Sequence, residues 1–119
     1  MHSTVLWTLP ADPTKYVKEV LAKEAAEIPE EKINQGKWVL AEINYTDILV
    51  NDEMIVLHDL DPQHIERRNN FIKMIEEGKP ILPLIILGKD LLLVDGYARY
   101  RALKELGIES VEVILQEFN

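Results

Sequence analysis

Hydrophobic positions recur at helical spacing between Thr14 and Glu27, where Tyr16, Val17, Val20, Leu21 and Ala25 share one face while Lys and Glu fill the other. Pro13 suits the first turn of that helix. Ile28-Pro29 ends it, because the residue before a proline avoids helical geometry. Glu30 to Gly36 reads as a polar connector. The pattern then changes: Lys37 to Asn44 is rich in strand formers, with Trp38, Leu40 and Glu42 on one face and Val39, Ala41 and Ile43 on the other. Tyr45 to Leu60 reads as a loop able to hold a hairpin, in which Ile48-Leu49-Val50 and Met54-Ile55-Val56-Leu57 flank a turn at Asn51-Asp52-Glu53.

Asp61-Pro62 opens a helix, with the carboxylate as N-cap and proline at the first helical position; Ile65, Phe71, Ile72, Met74 and Ile75 follow at helical spacing. Gly78 closes it and Pro80 prevents its return. Ile81 to Leu87 and Leu91 to Val94 are apolar strands around a tight Gly88-Lys89-Asp90 turn, and they are expected to pair as a hairpin. After Asp95-Gly96 the period switches to helical: Ala98, Ala102, Leu103 and Leu106 point inward, Gly107 caps the end, and Val111 to Leu115 forms a last strand. The fold class is α+β, with helices packed on a small mixed sheet. Residues 1–36 are expected to form an N-terminal helical extension and 37–119 the domain proper.

Composition narrows the chemistry. The 119 residues are 47% apolar, enough for one compact core. Thirteen Lys and Arg against 21 Asp and Glu give a net charge of −8, which disfavours DNA as a direct, tight partner. Without cysteine there is no thiol catalysis, disulfide or thiolate metal site. The first thirty residues lack a signal-peptide pattern and no apolar run is long enough to span a bilayer, so the expected location is the cytoplasm, away from membranes.

The segment Asp95-Gly96-Tyr97-Ala98-Arg99-Tyr100-Arg101-Ala102 carries the functional signal. A helix that starts directly after a buried strand presents unpaired N–H groups and the positive end of its dipole, which together favour an anion. Gly96 lets a phosphate approach the backbone, and Arg99 and Arg101 lie close enough to add charge-assisted contacts. Spacing alone leaves a second explanation open: an ordinary Asp-Gly turn, followed by an exposed Arg101 paired with Glu105.

The segments Pro83 to Gly88, Leu92 to Ile108 and Val111 to Leu115 together resemble the ParB/sulfiredoxin superfamily. Gly96, Arg99, Arg101 and Ala102 match the Gly-Glu-Arg-Arg-x-Arg-Ala pattern of ParB proteins, and Asp95, Gly96 and Arg99 match the Asp-Gly-His-His-Arg pattern of the archaeal free-serine kinase branch. The resemblance implies a nucleotide (ATP, ADP or CTP), accompanied by Mg²⁺, bound through Asp95, Gly96, Tyr97, Ala98, Arg99 and Arg101. Tyr97 replaces the sulfiredoxin cysteine, which removes sulfinic acid reduction. Tyr97 and Ala98 also replace the kinase histidines, which weakens the case for transfer to a small hydroxyl acceptor more than the case for binding. ParB partition proteins carry further DNA-reading and dimerisation segments, so a complete partition protein is not expected.

In the kinase branch the catalytic Glu follows the first strand, which makes Asp52 and Glu53 the candidate catalytic carboxylates, against the competing reading of a solvated turn. His58, Asp59, Asp61 and His64 match no established metal spacing, and no metal site is assigned to them. Arg67 and Arg68 read as solvated or paired with Glu on their own helix, with one of them able to reach a phosphate. Trp38 and Tyr100 read as core residues.

Overall fold

The computed structural model describes residues 5–23 and 28–117. Helix α1 covers Pro13–Lys23; residues 24–27 of the expected helix, Ala25 among them, lie outside the described residues. The connector holds a single helical turn, α2 (Glu30–Ile33), before strand β1 (Lys37–Asn44). A 3₁₀ turn at Tyr45–Asp47 leads to α3 (Asp52–Leu60) and α4 (Pro62–Glu76). Strands β2 (Leu84–Leu87) and β3 (Leu92–Asp95), helix α5 (Tyr97–Glu105) and strand β4 (Ser110–Glu117) follow.

The sheet is mixed, in the order β1-β4-β2-β3. β1 and β4 pair antiparallel from Lys37 opposite Glu117 to Asn44 opposite Ser110. β4 runs parallel to β2, and β2 pairs antiparallel with β3 as the expected hairpin, with a register shift between Ile85 and Ile86. Ile81 stands apart from β2 as a single bridge to Trp7, because Pro83 has no N–H to continue a ladder.

Strand alternation divides the core between the two sheet faces. Leu84, Ile86, Val111 and Val113 face α4 and α5, packing on Ile75, Tyr100, Ala102 and Leu103. Ile85 and Ile114 face the other way, where Trp38 meets Val17 and Leu21 of α1. Trp38 and Tyr100 are buried as core residues, 2% and 6% exposed. Trp38 also ties the N-terminal segments to the sheet: its backbone N–H donates to Thr14 Oγ1 at 3.1 Å, and its indole N–H to the Ile33 carbonyl at 3.0 Å.

The expected loop with a hairpin over Tyr45 to Leu60 is corrected. Leu49 makes only an isolated bridge to Leu92, and Met54 to Leu57 belong to helix α3. Asn51 is its N-cap, accepting from the Met54 N–H at 3.2 Å, and Asp52 and Glu53 lie in the first turn, where negative charge complements the helix dipole. An unbroken apolar run of four residues has no period of its own, so the cap decides. Asp61 then serves both helices, as C-cap of α3 and N-cap of α4, where its Oδ1 accepts from the Gln63 N–H at 2.8 Å. Among the described residues no helix is long and apolar enough to cross a membrane.

Candidate functional site

β3 delivers the chain to Gly96, which takes φ 100° and ψ 27° as the N-cap of α5. Two constraints keep a side chain out of this position: the left-handed backbone, and a Cβ that would sit 2.8 Å from Leu84 Cδ2 and 3.3 Å from an Arg99 guanidinium nitrogen. The first intrahelical bond runs from the Tyr100 N–H to the Gly96 carbonyl at 2.8 Å, so the N–H groups of Tyr97, Ala98 and Arg99 have no partner within the helix. Among the described residues no side chain caps them.

Asp95 and Arg99 form one tight unit beside this turn. Arg99 donates to Asp95 Oδ2 at 2.8 Å and to the carbonyls of Leu82 and Pro83 at 2.9 and 3.1 Å. Its guanidinium lies 5.9 Å from the Phe71 ring centroid, and the Asp95 and Arg99 side chains are only 12% and 11% exposed. Tyr16 of α1 stands against the same pair; burial pushes its hydroxyl pKa up, with Arg99 opposing and Asp95 adding to the shift. Arg101 turns away to α3, where it donates to Asp59 Oδ1 at 2.6 Å rather than pairing with Glu105.

Tyr97 is buried at the start of α5, where its hydroxyl donates to the Leu93 carbonyl at 3.1 Å and accepts from the Asn51 N–H at 3.1 Å. Burial raises its pKa. This tyrosine therefore joins the α5 turn to the start of α3. On its other side the imidazole of His58 is stacked at a centroid distance of 5.3 Å, and His64 follows at 4.0 Å from His58.

These groups converge on a pocket of about 130 Å³ at the α5 N-terminus. Asp95, Gly96, Tyr97, Ala98 and Arg99 form one wall, and Met54, His58, His64, Arg67 and Phe71 form the other. The pocket lies below the range of about 300–1,000 Å³ typical of sites that enclose a whole ligand, so it fits a terminal group with the rest of the molecule outside. An apolar cleft of about 230 Å³ adjoins it across Phe71 and Arg99, lined further by Met74, Pro80, Ile81 and Leu82. A larger depression of about 480 Å³ lies on the β1–β4 side, but Glu42, Glu109 and Glu112 line it and oppose an anion.

Five of the sequence-derived site residues, Asp95 to Arg99, are thus brought together, while Arg101 is not part of the pocket lining. Asp52 and Glu53 are exposed at the head of α3 and do not line it either, although the next residue, Met54, does. Three further residues enter from the α3–α4 corner. His58 is 6% exposed, and its Nδ1 and that of His64 are buried without a hydrogen-bond partner among the described residues. Burial, followed by the positive charges of His64 and Arg67, pushes the His58 pKa down to about 4, with Asp59 and Asp61 opposing. Arg67 is exposed on the pocket rim. The sequence signal for this wall was the Asp61 cap, which folds His58 and His64 onto one another once α3 is recognised as a helix. Among the described residues no group of three or more His, Cys, Asp or Glu is arranged to hold a metal ion.

The mixed sheet and the strand–Gly96–helix turn give the chain a ParB/sulfiredoxin-like fold. Two solved structures of a pNOB8-like ParB N-domain, one of them a C2221 crystal form, superpose on 70% of this chain. Their TM-scores are 0.53 and 0.52, with 23% and 26% sequence identity, and the match spans 31% and 29% of their own chains. Sulfiredoxin from Arabidopsis thaliana superposes on 66% of this chain and 85% of its own, with a TM-score of 0.52 and 14% identity. No protein-family profile and no curated protein matches the sequence.

Proposed function

We propose that this ParB-like domain binds a nucleotide, ATP, ADP or CTP, with its terminal phosphate at the N-terminus of α5. The observation that carries the reading is the uncapped turn after Gly96, whose free N–H groups adjoin a pocket that also holds Arg67 and two imidazoles whose buried Nδ1 atoms have no hydrogen-bond partner among the described residues. Arg99 contributes by fixing the turn, since three of its donors are already engaged; Arg67 is the arginine free to meet the phosphate. The remainder of the nucleotide lies along the apolar cleft beyond Phe71, whose lining offers few polar groups to tell one base from another.

Mg²⁺ fits only as a passenger on the phosphates. Among the described residues the one carboxylate in the pocket lining, Asp95, is held by Arg99. The same fact favours binding in a regulatory role, in a cytoplasmic protein, over turnover. A phosphotransferase or hydrolase reading rests on Asp52 and Glu53, which immediately precede Met54 on the pocket wall.

Calorimetric titration with MgATP, MgADP, MgCTP and MgGTP tests the proposal. Saturable binding with affinities within about tenfold across the bases is expected. Arg67→Ala should weaken all of them by about tenfold, the loss of one charge-assisted contact. Absence of binding at millimolar nucleotide overturns the proposal. Steady phosphate release abolished in the Asp52→Ala/Glu53→Ala variant would favour the enzyme reading.

A further inference from the structure

Buried polar atoms without partners are uncommon in folded proteins because each costs about 1–3 kcal/mol, so a pair of them in contact calls for a physical reason. His58 and His64 present such a pair: ring centroids 4.0 Å apart, planes 32° from parallel, and both Nδ1 atoms buried and unpartnered. Both rings line the pocket at the α5 N-terminus, and His58 is also stacked on Tyr97. We propose that the His58–His64 pair is a proton-linked ligand for a tetrahedral oxyanion, taking up one proton from solvent as the anion enters.

This rests on the phosphate reading of the pocket and adds to it a pH dependence and two contact residues. In the anion-free protein several groups oppose a proton on the pair. Arg67 of α4 faces His58 with positive charge, a proton on His64 would do the same, the α5 dipole presents its positive end, and burial disfavours an imidazolium on His58. Asp59 of α3 and Asp61 at the corner attract one, but Asp59 is already paired with Arg101. Asp95 and Arg99 across the pocket neutralise one another, and the Tyr97 hydroxyl is engaged with Leu93 and Asn51. The balance of these groups keeps His58 neutral down to a pH of about 4. An entering anion reverses the sign of the local field. It offsets Arg67 and the helix end, and it gives an imidazolium N–H an acceptor. Two protons would place like charges on stacked rings, so one is taken up by the pair as a unit.

Sulfate is the appropriate probe, because it remains a dianion between pH 5 and 8 and brings no titration of its own. Amide and imidazole resonances of the full chain are followed during sulfate titrations at several pH values. The expected result is saturable shifts at Tyr97, Ala98 and Arg99, with affinity rising by up to about tenfold per pH unit as the pH falls through 7 to 5. The imidazole titration of the wild-type protein should move to higher pH when sulfate is added, a readout that needs no variant. His58→Gln/His64→Gln should flatten the pH dependence. Sulfate or MgATP shifting the α5 amides equally at all pH values, with the imidazole titration unmoved, overturns the proton linkage and leaves the phosphate reading standing. Absence of any shift at those amides with either probe overturns both.

Discussion

On one side of the turn at Gly96, the Arg99 guanidinium reaches a carboxylate, two backbone carbonyls and an aromatic face; on the other, two imidazoles lie ring against ring with buried nitrogens that meet no partner. Both sides are tightly packed, and both belong to the same small pocket. The difference lies in satisfaction. A polar network with its bonds made holds a fold together, whereas a buried polar pair with none made is destabilising unless something else completes it. The motif side of the turn is therefore the clamp that fixes the β3–α5 junction. On the proposed reading, the histidine side is where an added anion would change the energetics.

The largest expected effect breaks the clamp. Arg99→Ala leaves the Asp95 carboxylate uncompensated in a site where both side chains are nearly buried, and should cost about 3–5 kcal/mol in urea denaturation. Asp95→Asn in the same background should recover part of that loss by removing the orphaned charge. A cost below about 1 kcal/mol would mean that the Asp95–Arg99 side is not structural, and the contrast would fail.

The histidine side is expected to show in the pH dependence of stability. The His58 pKa falls from 6.5 to about 4 on folding, so as pH drops below 6.5 the unfolded chain takes up a proton before the folded one does. Its contribution to stability is therefore full above pH 6.5 and lost progressively toward pH 4. The loss is about 1 kcal/mol between pH 7 and 5.5 and up to about 3 kcal/mol in all. Urea midpoints at pH 7 and 5.5 check this, and His58→Gln should remove most of the slope. Sulfate, by favouring the protonated pair, should reduce the loss in the wild-type protein.

The smallest effect is expected at the Arg101–Asp59 pair, whose side chains are 20% and 39% exposed. Asp59→Ala should cost no more than about 1 kcal/mol in the same urea titration. It should also leave anion affinity at pH 7 within twofold, because Asp59 and Arg101 do not line the pocket.

The elements with local signals were legible in the sequence. The β2–β3 hairpin around its Gly88 turn, the Asp61-Pro62 start of α4 and the switch from strand to helix at Gly96 all follow from period and punctuation over a few residues. α3 was not legible in the same way. Met54 to Leu57 is a continuous apolar run that suits a buried strand as well as a helix, and only the Asn51 cap and the acidic first turn separate the two. That one element hid the pocket's second wall, because His58 lies near its end and meets His64 only across the corner at Asp61. Arg99 illustrates a different limit. Its i,i+4 pairing with Asp95 is visible as spacing, but the carbonyls of Leu82 and Pro83 reach it only after the sheet has formed. The close approach of Leu84 and Arg99 to Gly96 is likewise visible only in the folded chain.

The central claim, a phosphate held at the start of α5, is tested most directly by mapping backbone amide shifts during titration with MgATP at pH 7. Saturable shifts centred on Gly96, Tyr97, Ala98 and Arg99, accompanied by His58, His64 and Arg67 across the pocket, are the expected result. No saturable shift at millimolar nucleotide, or shifts confined to the acidic depression around Glu42 and Glu112, would contradict it.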